Sequence, residues 1–338
     1  MIIGSLNIRG GGNALKRRRI SNIIKKGEAD IFLIQESKLT DLNEALARSF
    51  WCGSDIGFSF SNSEGFSGGM ICLWKVGNVE VISSFKGEGF LGIKVIWKDN
   101  AYYILNVYSS CLLAKKKELW ENILRLKDSF TDGEWIIGGD FNSIRAIGER
   151  RGRSERVVSN EAVFFDKFIE DSGLIDIPCK GKKYSWYSGD GRAMSRIDRF
   201  LVSNVVVNRW GLVGQFIGCR DVSDHCPVWL VKDRENWGPK PFKFNNEWFS
   251  FKSFIPFVET EWKEMVVEGR GDFVLIEKLK RLKDRLKWWN EVVFGKIDLE
   301  VEECVKEVNK GDSYLEEVGE DSFMDTLNDR RGRIRGYG

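Results

Sequence analysis

Short apolar runs bounded by Gly, Asn, Asp or Ser follow one another through residues 1–232. Several of these runs alternate apolar and polar positions, which is typical of β-strands that bury one face. The strands predicted from this pattern are Ile2–Ile8, Ile31–Gln35, Gly69–Trp74, Val79–Phe85, Leu91–Trp97, Tyr102–Val107, Trp135–Gly138, Ser185–Trp186, Asp198–Val202 and Pro227–Val231. Residues 1–232 are therefore expected to form a domain dominated by β-sheet.

Helical spacing interrupts the strands at three places in the same region. In one of them Phe165, Phe168 and Ile169 share a single face, as in an amphipathic helix. The predicted helices are Ala14–Lys26, Ala114–Phe130 and Ser159–Ser172. Many strands with few helices favour an α/β fold in which helices flank two packed, mainly antiparallel β-sheets.

The pattern changes after residue 232. Residues 233–248 contain Pro and Gly and are predicted to be a connector. A helical extension is expected over 249–310, because apolar residues recur there at alternating spacings of four and three, which favours a helical hairpin packed on itself. That seam comprises Leu275, Leu279, Leu282, Leu286, Trp289 and Val293. Residues 311–338 are charged and poor in large apolar groups, so we expect a disordered tail.

Composition narrows the function classes. Among 338 residues, 52 Lys and Arg nearly balance 50 Asp and Glu, and this excludes a uniformly basic nucleic-acid coat. The single histidine, His225, excludes a mechanism with two imidazoles and a His-rich metal cluster. Seven dispersed cysteines predict reduced thiols in an intracellular compartment. Neither a secretory signal nor a long apolar span is recognisable, so we expect neither secretion nor a membrane anchor.

Polar residues stand at the ends of several predicted strands, and they are the candidates for chemistry. If these strands open into one cleft at the sheet edges, the side chains would converge. An oxygen-rich set with one imidazole suits Mg²⁺ or Mn²⁺ better than Zn²⁺, and it suits hydrolysis of a phosphate ester. The set is Asn7, Glu36, Tyr108, Asp140, Asn142, Asp198, Asp224 and His225.

The order of these motifs resembles the endonuclease/exonuclease/phosphatase superfamily, and it is most similar to the endonuclease domain of plant LINE-type (non-LTR) retrotransposons. The resemblance covers residues 1–232 and continues more weakly to about residue 300. It implies a DNase-I-like, four-layer αββα sandwich. The signatures are Leu6–Gly10, Gln35–Ser37, Gly139–Asn142, Glu149–Gly152, Tyr184–Trp186, Arg196–Ser203 and Ser223–Pro227.

The resemblance also implies roles for the catalytic residues. Asp140 would orient and deprotonate the attacking water, and Asn142 would steady it. His225 would bind the scissile phosphate with Asp198 as its carboxylate partner. Tyr108 is either a phosphate contact or a buried strand aromatic, and Asp198 alone would also be compatible with a surface ion pair.

For the metal, the resemblance implies Glu36 as the principal Mg²⁺ ligand, with Asn7 nearby and Asp224 at the edge of the site. Arg9 stands where apurinic endonucleases tend to carry an acidic residue. This departure puts a second metal contact in doubt and makes Arg9 a candidate phosphate contact.

Ser185 and a group of arginines are further candidates for substrate binding. Ser185 is expected to hydrogen-bond a phosphate. Arg150 and Arg151, with Arg153 and Arg156, are either DNA-backbone contacts or a charged loop.

The function expected from the resemblance is Mg²⁺-dependent nicking of double-stranded DNA, which leaves 3′-hydroxyl and 5′-phosphate ends. A lipid or sugar-phosphate phosphoesterase of the same fold, and an inactive remnant that binds nucleic acid, remain alternatives. No reverse-transcriptase motif is present, which predicts a fragment, a truncated copy or a stand-alone derivative of such an element. We expect a monomer without an obligate protein partner, located in the nucleus.

Overall fold

The structure is a computed structural model that describes residues 1–51, 53, 55–64, 67–152, 160–232, 248–249, 252–289 and 305–313. Met1–Asp233 and the segment that begins at Asn309 form one compact unit, the sheet unit. Arg234–Val308 form the second, the helical unit. Among the described residues, no helix has both the length and the apolar character needed to cross a membrane.

The regular elements of the chain are as follows. The strands are β1 (Ile3–Asn7), β2 (Ile31–Gln35), β3 (Ile56–Glu64), β4 (Ser67–Lys75), β5 (Glu80–Gly87), β6 (Phe90–Trp97), β7 (Asn100–Tyr108), β8 (Glu134–Asp140), β9 (Arg150–Arg151), β10 (Leu174–Asp176), β11 (Cys179–Gly181), β12 (Trp186–Tyr187), β13 (Met194–Ser195), β14 (Asp198–Ser203), β15 (Leu212–Ile217) and β16 (Val228–Lys232). The helices are α1 (Ala14–Gly27), α2 (Glu44–Arg48), α3 (Leu113–Ser129), α4 (Asn160–Ser172), α5 (Asn204–Trp210), α6 (Phe254–Glu264) and α7 (Gly271–Trp289). Residues 305–313 are also helical.

Two large mixed sheets form the centre of the sheet unit. The first has the order β11-β15-β16-β1-β2-β4-β3, and the second has the order β10-β14-β8-β7-β6-β5. The pairs β1/β2, β7/β8 and β11/β15 are parallel, whereas the other pairs in these sheets are antiparallel. A small sheet, β12-β13-β9, lies beside them. The predicted pair of mainly antiparallel sheets is confirmed.

Apolar side chains divide the sheet unit into layers. Leu33 of the first sheet and Ile104 of the second belong to one buried cluster between the sheets. Ile20 of α1 packs on the outer face of the first sheet, and Phe165 of α4 packs on the outer face of the second. Each such side chain contributes roughly 1.5–3 kcal/mol when fully buried. The expected four-layer αββα arrangement is therefore confirmed.

Local sequence sets the ends of α1, which was predicted to within one residue. Asn13 accepts hydrogen bonds from the backbone N–H groups of Leu15 and Lys16, as an N-cap does. Glu28 ends the helix in the left-handed region, with φ 53°. The helix thereby presents its buried Ile20 and Ile24 to the first sheet.

The helical unit buries only part of the predicted seam. Leu286 and Trp289 of α7 pack against Phe254 of α6, but Leu275 and Leu279 are 50% and 52% exposed. The hairpin core thus lies at the second half of α7. The last seam position, Val293, and the connector 233–247 lie outside the described residues.

The expected disordered tail needs a correction at its beginning. Residues 311–313 are helical, and Asp312 is buried and forms ion pairs with Lys182 and Arg220. The charge of Asp312 made the segment look solvated in the sequence, but the partly buried Lys182 and Arg220 of the sheet unit neutralise it. Residues 314–338 lie outside the described residues.

Candidate active site

Strand register brings three of the candidate side chains into one row. Tyr108 on β7 and Asp198 on β14 pair with Asp140 from either side. Directly paired residues of neighbouring strands project from the same face of a sheet, so the three side chains lie together. In the first sheet, Asn7 ends β1 beside the end of β2, and Glu36 follows immediately.

Asp140 is the centre of the site. Its Oδ2 accepts a hydrogen bond from Asn7 Nδ2 at 2.9 Å, which links the two sheets. Its Oδ1 accepts the backbone N–H of Asn142 at 2.8 Å, and Asn142 adopts a left-handed φ of 48° to make this turn. Gly139 has φ 143°, and a Cβ there would lie 2.0 Å from the Val107 carbonyl oxygen. The Gly-Asp-x-Asn motif is thus required by backbone geometry as well as by chemistry.

Asn142 is held by contacts that sequence reasoning missed. Its Nδ2 donates to the Ser109 carbonyl at 2.7 Å, and its own carbonyl accepts from Lys116 Nζ at 2.5 Å. Lys116 is 2% exposed and also pairs with Glu161 at 2.7 Å. A signal was present, because Lys116 lies on the same helical face as the apolar Leu119.

We expect Lys116→Met to weaken both stability and activity. The variant keeps the apolar stem but leaves the Glu161 carboxylate and the Asn142 carbonyl without their cation. Removing one partner of a largely buried pair should lower the free energy of unfolding by about 2 kcal/mol. Lys115→Met is the control, since Lys115 makes exposed ion pairs only. Equal melting temperatures for the two variants would contradict the anchoring role of Lys116.

The sole imidazole forms a pair with Asp198. His225 Nδ1 lies 2.9 Å from Asp198 Oδ2, and its Nε2 lies 3.9 Å from Asp140 Oδ2. Ser185 Oγ donates to Asp198 Oδ2 at 2.7 Å and accepts the Asp198 N–H at 2.9 Å. Asp198 is therefore fixed from behind and turned towards the imidazole.

Burial and neighbouring charges set the protonation of this group. Burial and the charge of Asp198 raise the pKa of Asp140 to about 7, although His225 and the Asn7 hydrogen bond partly offset this. Burial lowers the pKa of His225, but the charge and hydrogen bond of Asp198 outweigh it and raise the pKa to about 9. At neutral pH the imidazole is therefore protonated, while Asp140 is close to its midpoint and can accept a proton.

Asp198 makes no surface ion pair with the neighbouring arginines. Arg199 is buried and bonds Glu149 and Asp176, each at 2.8 Å. Arg196 bonds the same two carboxylates at 2.8 and 2.6 Å. The two arginines are thereby neutralised elsewhere, and Asp198 remains with His225. Glu149, in the Glu-Arg-Arg-Gly signature, supports this network.

Glu36 and Tyr108 contact each other across the sheets. The Tyr108 hydroxyl donates to Glu36 Oε1 at 2.5 Å, and Glu36 Oε2 lies 3.9 Å from Lys38 Nζ. Burial and the bond to Glu36 raise the pKa of Tyr108 far above its usual value, so the phenol stays neutral. Tyr108 is thus a partner of the carboxylate, and it is not only a core aromatic.

Asp224 is engaged by two donors at the rim. Arg9 Nη1 lies 3.1 Å from Asp224 Oδ2, and Trp186 Nε1 donates to the same oxygen at 2.9 Å. The Arg9 guanidinium thus neutralises the Asp224 carboxylate, and the same carboxylate orients the Trp186 indole. The Trp186 ring is half-buried, and its hydrogen bond ties β12 to the loop that carries His225.

The remaining substrate-binding candidates divide into buried and exposed positions. Ser185 is fully buried, and its hydroxyl donates a hydrogen bond to Asp198. The side chain therefore supports Asp198, in place of the expected contact with a phosphate. Arg150 is exposed on β9 and donates to Ser195 Oγ at 3.3 Å, while Arg151 pairs with Met194. Arg153 and Arg156 lie outside the described residues.

Two groups of ligands are candidates for a metal. Atoms of Asp140, Asp198 and His225 all lie within 4.8 Å of one another. A protonated imidazole has no lone pair for a metal, however, so this triad is better suited to proton transfer. Glu36 and the Asn7 amide oxygen, which accepts the Arg9 N–H at 3.1 Å, offer the oxygen donors that a hard divalent cation prefers. These oxygen atoms fit a hard divalent cation at Glu36.

A model of the endonuclease/exonuclease/phosphatase family matches residues 4–225. Solved structures with the same fold include a 3′-5′ exonuclease from Neisseria meningitidis, at 19% identity and TM-score 0.55, over 69% of this chain and all of that one. An AP endonuclease from Leishmania major has 17% identity and TM-score 0.53, over 68% of this chain and 86% of that one. The endonuclease domain of TRAS1, a telomere-specific non-LTR retrotransposon, has 16% identity and TM-score 0.52, over 69% and 99% of the two chains.

Proposed function

The chain belongs to the endonuclease/exonuclease/phosphatase family, and from this premise we propose that it is a Mg²⁺-dependent endonuclease that nicks double-stranded DNA. Members of the family are metal-dependent nucleases and phosphatases, and the chain is an enzyme of that kind. One observation carries the proposal: the His225–Asp198 pair faces the buried Asp140 carboxylate where the two sheets meet.

Asp140 is proposed as the general base. Its pKa near 7 and its two fixed hydrogen bonds leave it able to take a proton from water at neutral pH. Asn142, anchored by Ser109 and Lys116, would steady that water against the phosphorus. The water oxygen forms the new P–O bond as its proton passes to Asp140.

The charged imidazole of His225 is proposed to bind a non-bridging oxygen of the scissile phosphate through Nε2. Asp198 keeps the ring protonated and oriented, since it occupies Nδ1. As the P–O3′ bond breaks, the 3′ oxygen leaves and takes up a proton from solvent water, which gives 3′-hydroxyl and 5′-phosphate ends. Tyr108 would orient Glu36 and touch the phosphate.

The metal would sit at Glu36, with Asn7 beside it, and when bound it would supply positive charge to the phosphoryl oxygens. Asp224 is proposed to lie at the edge of that site, where Arg9 neutralises its charge. Arg9 itself is half-exposed and is proposed to meet a second phosphate.

DNA is proposed as the substrate because an exposed and a partly exposed arginine lie beside the candidate site. Arg150 and Arg151 follow the Gly-Asp-x-Asn loop on β9, which pairs with β13 next to Asp198. Backbone contacts of this kind bind without reading sequence. The LINE-type signatures and the fold shared with the TRAS1 domain support an origin in a non-LTR retrotransposon. We further propose that the protein acts as a monomer in the nucleus.

Nicking of supercoiled plasmid tests the proposal. Purified protein should convert supercoiled to open-circular DNA with Mg²⁺ or Mn²⁺, should stop in EDTA, and should recover on addition of Mg²⁺. DNA ligase should reseal the nicks without prior end repair, because the ends are 3′-hydroxyl and 5′-phosphate. Release of phosphate from lipid or sugar phosphates without any plasmid nicking would replace the proposal with the phosphoesterase alternative.

Nicking should depend on pH as a bell-shaped curve. Below about pH 7 Asp140 becomes protonated and cannot accept a proton, so kcat/KM should fall about tenfold per pH unit. Above about pH 9 His225 loses the proton that binds phosphate, so the rate should fall again. Asp198→Asn should move the alkaline limb to lower pH, because the carboxylate raises the pKa of His225. A limb that stays in place in Asp198→Asn would contradict this assignment.

A further inference from the structure

The segment that follows the helical unit carries a buried carboxylate against the sheet unit. Asp312 is 2% exposed, and it accepts from Lys182 Nζ at 3.0 Å and from Arg220 Nη2 at 2.8 Å. Asn309 fixes the same place, because its amide bonds both the N–H and the carbonyl of Arg220, at 2.9 and 2.8 Å. We call Asn309, Asp312, Lys182 and Arg220 the C-terminal clamp.

The clamp encloses one aromatic ring next to the site. Lys182 Nζ lies 5.1 Å from the centre of the Tyr187 ring, and the Arg220 guanidinium lies 5.0 Å from it. The Tyr187 N–H donates to the Asp224 carbonyl at 3.0 Å. The ring that the two cations hold is therefore attached directly to the Asp224–His225 loop.

A second backbone bond closes the same frame. The Cys226 N–H donates to the Ser185 carbonyl at 2.7 Å, so β12 and its preceding residue flank His225 on both sides. Burial raises the pKa of the buried Cys226 thiol, and the charges of Lys182 and Asp312 act on the same sulfur. The clamp is therefore within electrostatic reach of the residue that adjoins His225.

We propose that Asp312 is a positioning residue of the active site, which neutralises Lys182 and Arg220 and so holds the Tyr187 strand against the loop of Asp224 and His225. This proposal rests on the catalytic role proposed for His225. Two cations over one ring repel each other, and both are largely buried, so a carboxylate between them is what keeps them in place. Without it, each cation would turn towards solvent or towards Asp224, and the loop would shift.

The catalytic unit is then discontinuous in sequence. The domain expected from sequence ends at residue 232, but the clamp draws on Asn309 and Asp312, beyond the helical unit. A polypeptide that stops at residue 232 retains the catalytic set, Lys182 and Arg220, and lacks Asn309 and Asp312.

Asp312→Asn in the full chain tests the proposal. The amide keeps the shape and removes the charge, so kcat for plasmid nicking should fall about 10- to 100-fold, as for a small misplacement of catalytic groups. KM should change by less than twofold. The control is Glu307→Gln, on the exposed face of the same helix, whose KM should also stay within twofold of the wild-type value. His225 is the sole histidine, so its Nδ1–H signal in ¹⁵N NMR is unambiguous, and it should shift or broaden in Asp312→Asn only.

Three results would overturn the proposal. A raised KM with unchanged kcat would assign Asp312 to substrate binding, and a raised kcat would make the segment an inhibitory plug. An unchanged His225 signal would show that the loop does not depend on the clamp. If Asp312→Asn does not fold, Asn309→Ala takes its place, because it leaves no buried charge unpaired. In that variant kcat must also fall, but by less than is expected for Asp312→Asn. If wild type fails to nick DNA, the proposed function falls, while the NMR comparison still decides whether the clamp positions His225.

Discussion

Asp140→Asn should reduce kcat for plasmid nicking by about 10³-fold, since an amide cannot accept the proton of the attacking water. The substitution keeps the size of the side chain, and its carbonyl can still accept the Asn142 N–H. The loss should therefore appear in kcat, with little change in KM. Single-turnover nicking at saturating protein measures it without interference from product release.

Stability should respond to Asp140→Asn differently from activity. The variant loses the acceptor for Asn7 Nδ2, but it also removes a buried negative charge that is repelled by Asp198. These effects oppose each other, so the free energy of unfolding should change by no more than about 1 kcal/mol. Asp132→Asn, at an exposed ion pair with Lys94, is the matched control and should keep full activity. A fall in kcat of less than tenfold would exclude Asp140 as the general base.

Most of the strands that sequence predicted are apolar and buried along nearly their whole length, as β1, β2 and β8 are. β2 was predicted over its observed range because all of its positions are apolar or lead into the site. β3 was missed, since Phe58 and Phe60 of this edge strand alternate with polar residues and form no continuous apolar run. β15 was missed for another reason: its apolar Val213 and Phe216 are exposed, so the apolar positions do not mark the buried face of the strand. Pairing with neighbouring strands, which no local pattern reveals, decides these cases.

The candidate site could be predicted where the residues adjoin buried strands. Asp140 and His225 were identifiable because each follows or precedes a run of apolar residues, and the structure brings them within 3.9 Å. The buried positions of Ser185 and Asp312 were not, because their partners lie elsewhere in the sequence. An Asn106–Gln35 hydrogen bond of 2.6 Å between the sheets was equally hidden. Such contacts depend on tertiary packing, and single residues carry no mark of it.

His225 and Asp198 should behave as one unit in a double-mutant cycle. His225→Ala removes the cation that binds phosphate and should lower kcat about 10²- to 10³-fold. Asp198→Asn leaves the ring in place but takes away the negative partner that most raises its pKa. A smaller fraction of the imidazole is then charged at a given pH, and the loss should approach that of His225→Ala.

The double variant Asp198→Asn/His225→Ala should then be no slower than His225→Ala alone. Asp198 supports the phosphate contact only through the imidazole, and loss of its charge lowers the pKa of Asp140, which leaves the proposed base more fully ionised. Plasmid nicking at pH 7 by the four proteins gives the coupling, and circular dichroism melting of each one separates catalysis from folding. If the two losses multiply instead, Asp198 must contact the substrate or the metal directly. Its closeness to Asp140 and His225, in a group that could hold a metal ion, would allow this. The cycle thus decides between a proton-holding pair and a metal-binding triad, which distances alone leave equivalent.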